Sequence, residues 1–265
     1  MTKPININDS IREDLKKVDM MLRGAANLNG DSMQVVFNHF FKVQGKYLRP
    51  TLILLSAYTV NPNLTDEQID KIIKLSVAVE LIHSASLIHD DIIDGDLMRR
   101  GQKTLNNVYG KKTAVLAGDA LYAKAFSILS KSLPREIENV ITQVIESMCA
   151  AEITQAREIE ISKQEYFQII KGKTASFMSA CCKLGAALAG ADEKGMSNFE
   201  RYGLNLGMIY QIVDDCIDKD SIALKYVTLK DAENLALESK RLLEFFNDSI
   251  YKTELVNLIE YILKL

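Results

Sequence analysis

The chain is poor in residues that break helices. Only four of its 265 residues are proline, and after Pro62 only Pro134 could interrupt a helix through its ring. Stretches of alternating apolar and polar residues, which make half-buried strands, are also scarce. Long three-to-four periodicity takes their place and predicts an all-α protein. Cysteine is sparse too: Cys149, Cys181, Cys182 and Cys216 lie inside apolar helical sequence with no zinc-ligand spacing. That excludes a zinc module or disulfide scaffold and leaves the expectation of reduced core residues in a cytoplasmic protein. The net charge of −3 gives no general attraction to nucleic acid or an anionic membrane. No apolar run suggests a membrane span, and the amino terminus lacks the pattern of a secretory signal.

What remains is an ordinary globular composition, 48% hydrophobic and 25% charged, with enough chain for a large core. The periodicity predicts helices over 8–24, 31–43, from Pro50 onward, and over 66–97, 113–132, 135–159, 163–190, 195–219 and 229–263. Thr65 and Gln68 have the spacing of a capping box for the fourth of these. No repeat, low-complexity segment or linker divides the chain, so a single domain over 1–265 is expected.

Two stretches carry an unusual arrangement of charge. Asp90-Asp91-Ile92-Ile93-Asp94 is echoed by Asp214-Asp215-Cys216-Ile217-Asp218. Residues four apart share one face of a helix, so Asp90 and Asp94 can aim at one point, as can Asp214 and Asp218. Unpaired like charges at that spacing destabilise a helix, and both motifs adjoin strongly apolar sequence, so a compensating cation is expected. Carboxylate oxygens without cysteine or paired histidine suit Mg²⁺, with phosphate oxygens completing its shell.

The surrounding residues extend the pattern. His83, Ser86, Asp90 and Asp94 form one polar stripe on an otherwise apolar helix, which suggests an internal cavity with polar contents. Gln211, Asp214, Asp215 and Asp218 form another, preceded by Gly203 and Gly207, which permit close helix approach. Arg99 and Arg100 follow the first motif, Lys46 and Arg49 flank a break, and Lys173 follows Gly172. These are the forked donors and point charges that a diphosphate requires beside its metal ions.

Together these motifs resemble the trans-isoprenyl diphosphate synthases, or polyprenyl synthetases, from roughly residue 10 to 220 and more weakly beyond. The most specific stretch runs from Glu80 to Gly101, followed by Leu116–Leu121. Lys46, Arg49-Pro50, Glu152 with Gln155, Gly172-Lys173-Thr174 and Gln211–Asp215 also match. The resemblance implies an isoprenoid synthase-type helical bundle around a central cavity, with a shortened C-terminal region. It also implies head-to-tail condensation of an allylic diphosphate with isopentenyl diphosphate, giving an all-trans polyprenyl diphosphate. Three Mg²⁺ ions would clamp the allylic head group, with Asp90, Asp94 and Asp214 as principal ligands and Asp91, Asp215 and Asp218 in support. Arg99, Lys173 and Gln211 would hold the same head group. Lys46, Arg49, His83 and Arg100 would bind isopentenyl diphosphate, and the dipoles of Thr174 and Gln211 would face the developing cation.

The chain departs from the family in two places. Tyr47 stands where the family usually has a further arginine. After Asp218 the usual lysine- and glycine-rich loop is missing, which leaves Lys219 or Lys225 as a substitute lysine. The product tail is expected to pass small residues one helical turn before Asp90, namely Ala85 and Ser86, and to exceed fifteen carbons. Phe126 and the region Val79–Ile82 are candidates for its floor. A homodimer is expected from the resemblance, a heteromer remains an alternative, and transient membrane contact would accompany release of a long product. The other functional readings are a partner-dependent, non-catalytic subunit and a terpene cyclase.

Overall fold

The computed structural model describes residues 9–25, 31–43, 45–156, 161–218 and 222–265. A 3₁₀ turn, Asp9–Ile11, leads into α1 (Arg12–Ala25), α2 (Asp31–Phe40), α3 (Leu48–Val60) and α4 (Asp66–Ile93). A two-stranded hairpin, β1 (Met98–Arg99) and β2 (Gln102–Lys103), precedes α5 (Leu105–Tyr109), α6 (Lys111–Ser132) and α7 (Arg135–Gln155). The chain continues through α8 (Lys163–Ile170), a π-helical turn (Lys171–Ala175), α9 (Ser176–Leu188) and α10 (Glu193–Ile217). A 3₁₀ turn (Ala223–Lys225), α11 (Leu229–Leu243) and α12 (Ile250–Leu263) complete the fold.

Two helices form the centre, and their composition explains it. Every residue of α3 from Pro50 to Thr59 is buried, so this helix is apolar all round and must be enclosed. α4 is long and apolar enough to cross a membrane by length and composition, yet most of its apolar stretch is buried by neighbouring helices. It is a core helix whose last turn carries the first aspartate motif. α4 packs along α6, α3 along α9, and α10 between α9 and α11.

The expected close approach at the two glycines of α10 is present. A Cβ at Gly203 would stand 2.5 Å from the Met178 carbonyl oxygen, and one at Gly207 would stand 2.4 Å from the Ala175 Cα. Gly207 thereby seats α10 directly on the π-helical turn.

The capping box also forms: Thr65 Oγ1 accepts from the Gln68 amide at 3.3 Å, and Gln68 Oε1 accepts from the Thr65 amide at 3.0 Å. Several helix limits differ from the periodicity. α4 stops at Ile93 rather than 97 because Gly95, at φ 71°, leaves helical space. The stretch 229–263 is two helices, since Ser249 accepts from the Lys252 amide and starts α12 afresh. The helix over 163–190 contains the π turn, and the expected ends near 8, 159 and 219 fall at or beyond the described residues. Residues 31–43 are helical only to Phe40.

The hairpin and α5 have no signature in the periodicity. A two-residue turn at Arg100 (φ 51°) and Gly101 (φ 77°) links the strands, the geometry whose twist matches the flanking strands. His39 Nε2 lies 2.7 Å from the Lys103 carbonyl, and Gln102 Nε2 donates to the His39 carbonyl, tying the hairpin to α2.

Candidate active site

Both aspartate motifs occupy the C-terminal end of a helix, with Asp94 capping α4 and Asp218 capping α10. A helix C-terminus carries partial negative charge, so carboxylates gathered there are unfavourable without a cation. The second aspartate of each motif is tied into the protein. Asp91 is buried and accepts from Arg99 Nε. Asp215 accepts from the Tyr166 hydroxyl at 2.7 Å and from Gln211 Nε2 at 2.9 Å. Asp94, Asp214 and Asp218 are exposed. The work of the motif thus divides: the second aspartate fixes the turn, and the first and last present their charge outward.

A cavity of about 730 Å³ opens beside Asp90, within the range of small-molecule sites. Among the expected residues, Lys46, Arg49, His83, Asp90, Arg99 and Arg100 line it, together with Lys173 and Thr174. Asp91, Asp94, Gln211, Asp214 and Asp218 do not form its wall. Gln211 is reached through a relay, since the Thr174 hydroxyl donates to its Oε1 at 3.1 Å. The π turn presents Lys173 and Thr174 as neighbours, a common use of such an irregularity. Lys173 Nζ pairs with Glu152 at 2.7 Å and donates to Gln155 at 3.3 Å, so α7 holds it from the other side. Lys219 lies outside the described residues. Lys225 sits in the 3₁₀ turn and is not part of the cavity wall.

Burial shapes the charges. Asp90 is pushed up to about 6, first by desolvation and then by the nearby Glu152 carboxylate. Desolvation also raises Asp214, reinforced by Asp218 and Asp215. Asp91 is raised by desolvation against the opposing pull of Arg99. Burial, followed by Arg49 and Arg100, holds His83 well below its usual range, so it meets a ligand as a neutral hydrogen-bonding ring rather than as a charge. Arg49 is lowered by desolvation. Its Nε has no hydrogen-bond partner, and its guanidinium lies 4.9 Å over the Phe177 ring. A buried, unsatisfied donor on a residue that lines a cavity fits an anion.

Among the described residues, no three carboxylate, imidazole or thiolate groups converge into a ready-made metal cage. The donors still fit a hard divalent cation that completes its shell with phosphate oxygens, because Asp90 and Asp214 are both costly to ionise without one.

Four wall residues escaped the sequence reading. Glu80 is 6% exposed and extends the polar stripe back by one turn from His83, so the same spacing argument would have found it. Tyr122 of α6, Tyr210 of α10 and Tyr261 of α12 have no local signal, being ordinary aromatics on apolar helices. The presence of Tyr261 and Ile262 means that α12 supplies wall to the cavity. Two expectations are corrected. Cys149 is exposed and lines the cavity instead of packing in the core, whereas Cys181 and Cys182 are buried; all four thiols are free. Ala85 is wholly buried and outside the cavity wall, while Ser86 forms part of it. Five residues before Asp90 lies about 140° around the helix and four residues only about 40°, so Ser86 shares the face of Asp90. Phe126, Val79, Leu81 and Ile82 are likewise absent from the wall, which that stretch reaches only through Glu80; Tyr122 and Met148 also stand there.

Glu80 gives a pH prediction. Desolvation lifts it to about 7 although Arg49 and Arg100 pull it down. A carboxyl raised on folding stabilises the native state at low pH and loses that contribution as pH rises through about 7. Stability of the wild-type chain is therefore expected to fall from about pH 4.5 to about pH 7 and to level off above that. Glu80→Gln should flatten that slope, as measured by urea unfolding at a series of pH values. An unchanged slope would show that Glu80 is ionised throughout.

Comparison with known proteins agrees with this geometry. The polyprenyl synthetase family model matches residues 31–255. A prenyl transferase of Cyanidium caldarium is 34% identical over 84% of this chain and 70% of its own length. Component 2 of heptaprenyl diphosphate synthase from Bacillus subtilis (strain 168) is 34% identical over 68% of this chain, and the match spans 51% of that component. The crystal structure of a polyprenyl synthase from Caulobacter crescentus CB15, complexed with calcium and isoprenyl diphosphate, superposes with a TM-score of 0.88 at 22% identity, covering 99% of each chain. The chain belongs to the polyprenyl synthetase family and is a polyprenyl diphosphate synthase, a prenyltransferase.

Proposed function

We propose that the chain condenses an allylic diphosphate with isopentenyl diphosphate to give an all-trans product longer than fifteen carbons. The observation that carries this reading is one cavity lined by an aspartate that is costly to ionise and by a separate basic set. Asp90 and Lys173 line it as the first set and Lys46, Arg49, Arg100 and His83 as the second, with Arg49 and Arg100 close enough to His83 to help hold it neutral. A cyclase has no use for the second set. Asp90, Asp94 and Asp214, supported by Asp218, would hold Mg²⁺, three ions with the allylic diphosphate bound. When bound, the ions neutralise the diphosphate and favour its departure.

The residues of the chain do the rest. Arg99 and Lys173 hold the allylic head group while the bond between the allylic carbon and oxygen breaks, the electron pair leaving with the diphosphate. The Thr174 hydroxyl, its proton held by Gln211 Oε1, turns the negative end of its dipole towards the cationic carbon. Lys46, Arg49 and Arg100 hold isopentenyl diphosphate so that its double bond attacks that carbon, and the proton released goes to the departed diphosphate. Arg99 already balances Asp91, so its grip on substrate is shared with that ion pair.

The test is the purified chain with Mg²⁺, farnesyl diphosphate and labelled isopentenyl diphosphate. Elongated diphosphates support the proposal, hydrocarbons would make the chain a cyclase, and product only after addition of a second protein would make it a partner-dependent subunit. Ser86→Phe is expected to shorten the main product by at least one isoprene unit, read by chromatography of the dephosphorylated alcohols. An unchanged distribution would refute this path for the tail. We further propose a homodimer of single-domain chains, supported by exposed Val108, Val115 and Leu116 on α5 and α6, in a reducing cytoplasm consistent with four free thiols. A long apolar product would bring the protein into transient contact with a membrane at release.

A further inference from the structure

The segment bearing Lys46 and Arg49 is held in place by an unexpected residue. Tyr47, between those two cations, adopts φ 49° and ψ 37°, left-handed space that a bulky side chain rarely enters. Such a conformation persists only when the surroundings hold it, and it concentrates at functional sites. Here the surroundings can be named. The Tyr47 ring is 8% exposed, and its hydroxyl donates to Asp19 Oδ1 of α1 at 2.5 Å. Arg23 Nε donates to both oxygens of Asp19, at 3.1 and 3.0 Å, and Arg23 Nη1 reaches the Phe41 carbonyl at 3.3 Å. The Tyr47 carbonyl meanwhile accepts the first helical hydrogen bond of α3, from the Thr51 amide at 2.9 Å.

These contacts form a strap. Residues 45–47 belong to no helix or strand, so their backbone is not positioned by secondary structure. The hydroxyl–carboxylate contact fixes the segment from α1, and the carbonyl fixes it to α3. Lys46 is exposed and Arg49 has an unsatisfied Nε, so neither cation is anchored by an ion pair of its own among the described residues. Arg49 is placed by the first turn of α3 and the Phe177 ring, so what Tyr47 sets is the direction of Lys46 and its distance from Arg49.

We propose that Tyr47 is a positioning residue for the homoallylic diphosphate subsite: its hydrogen bond to Asp19 holds the strained segment that aims Lys46 and sets its distance from Arg49. The inference rests on the assignment of those two cations to isopentenyl diphosphate. It also gives the tyrosine a role at a position where an arginine is usual in the family: the charge is lost, and a tether to α1 takes its place.

Tyr47→Phe keeps the buried ring and removes only the tether. Its KM for isopentenyl diphosphate is expected to rise roughly fivefold to tenfold, the size of one typical intramolecular hydrogen bond. The KM for the allylic substrate should not move, and kcat should fall less than twofold. Asp19→Ala should match it, and the double variant should be no worse than either single one, because both remove the same contact. Asp19→Asn retains an oxygen acceptor and should recover most of the affinity. A purely structural tyrosine would instead lower the melting temperature and leave the ratio of the two KM values unchanged, which would overturn the proposal. Calorimetric binding of isopentenyl diphosphate separates the two levels of inference. If the wild type binds and Tyr47→Phe binds equally well, the tether alone is refuted. If the wild type does not bind, the subsite assignment falls and the tether with it.

Discussion

Asp90→Asn is expected to slow condensation by at least about a thousandfold while raising the melting temperature of the ligand-free protein. The two effects share one cause. Asp90 sits at the negative end of α4, half-buried and with Glu152 nearby, and its carboxyl is pushed up to about 6. That shift is a cost of ionisation borne by the resting protein at neutral pH, and the isosteric amide removes it. With allowance for partial solvent exposure, the gain is on the order of 1 kcal/mol. The loss of activity follows because the same charge is what a divalent cation and a departing diphosphate require. Groups aimed at developing charge contribute factors of about a hundred to a thousand each, and a metal ligand contributes at least as much. Calorimetric melting and steady-state turnover on one preparation test both halves. A variant that is slow and also less stable would place Asp90 in the structure rather than in the chemistry.

Arg49→Met should behave in the same way in the second, basic set. Burial lowers the affinity of Arg49 for its proton, and its Nε lacks a partner. The contact with the Phe177 ring returns part of that cost, since a ring face attracts a cation. Removing a buried charge that has no ion pair of its own relieves its desolvation cost, partly offset by losing the attraction between Arg49 and the Glu80 carboxyl. Methionine can follow the path of the arginine stem across Phe177, so a small net gain is expected. A diphosphate that loses a buried, forked partner should lose roughly a hundredfold or more in kcat/KM for isopentenyl diphosphate. Denaturant unfolding and initial rates at varied isopentenyl diphosphate check this. Unchanged kcat/KM would move the homoallylic site away from Arg49.

These two residues also show what was legible in the sequence. The spacing of Asp90 and Asp94, the stripe through His83 and Ser86, and the glycines of α10 are properties of a helix, and periodicity reveals them directly. Arg49 was visible as a cation beside a break, but its want of a partner depends on what α9 and the end of α12 bring near it. The division between Asp90 and Asp91 was invisible for the same reason. Only the hairpin, which turns Arg99 back onto α4, shows that Asp91 is already satisfied. That hairpin is too short to leave a period. Ala85 and Ser86 could have been separated by angle alone. Tyr122, Tyr210 and Tyr261 could not, since nothing local marks an aromatic that faces a cavity. The break between α11 and α12 depends on a serine cap inside an amphipathic run, which short polar residues hide easily.

Whether the two aspartate motifs grip one head group can be tested without turnover. A non-ionising thio analogue of farnesyl diphosphate is titrated by calorimetry, with Mg²⁺ present, into the wild type, Asp90→Asn, Asp214→Asn and the double variant. Binding is expected to depend on Mg²⁺ and to be largely abolished by either single change, with the double change costing far less than the sum of the two. Binding that survives Asp214→Asn at full strength, or losses that simply add, would mean that α4 and α10 do not close on the same diphosphate.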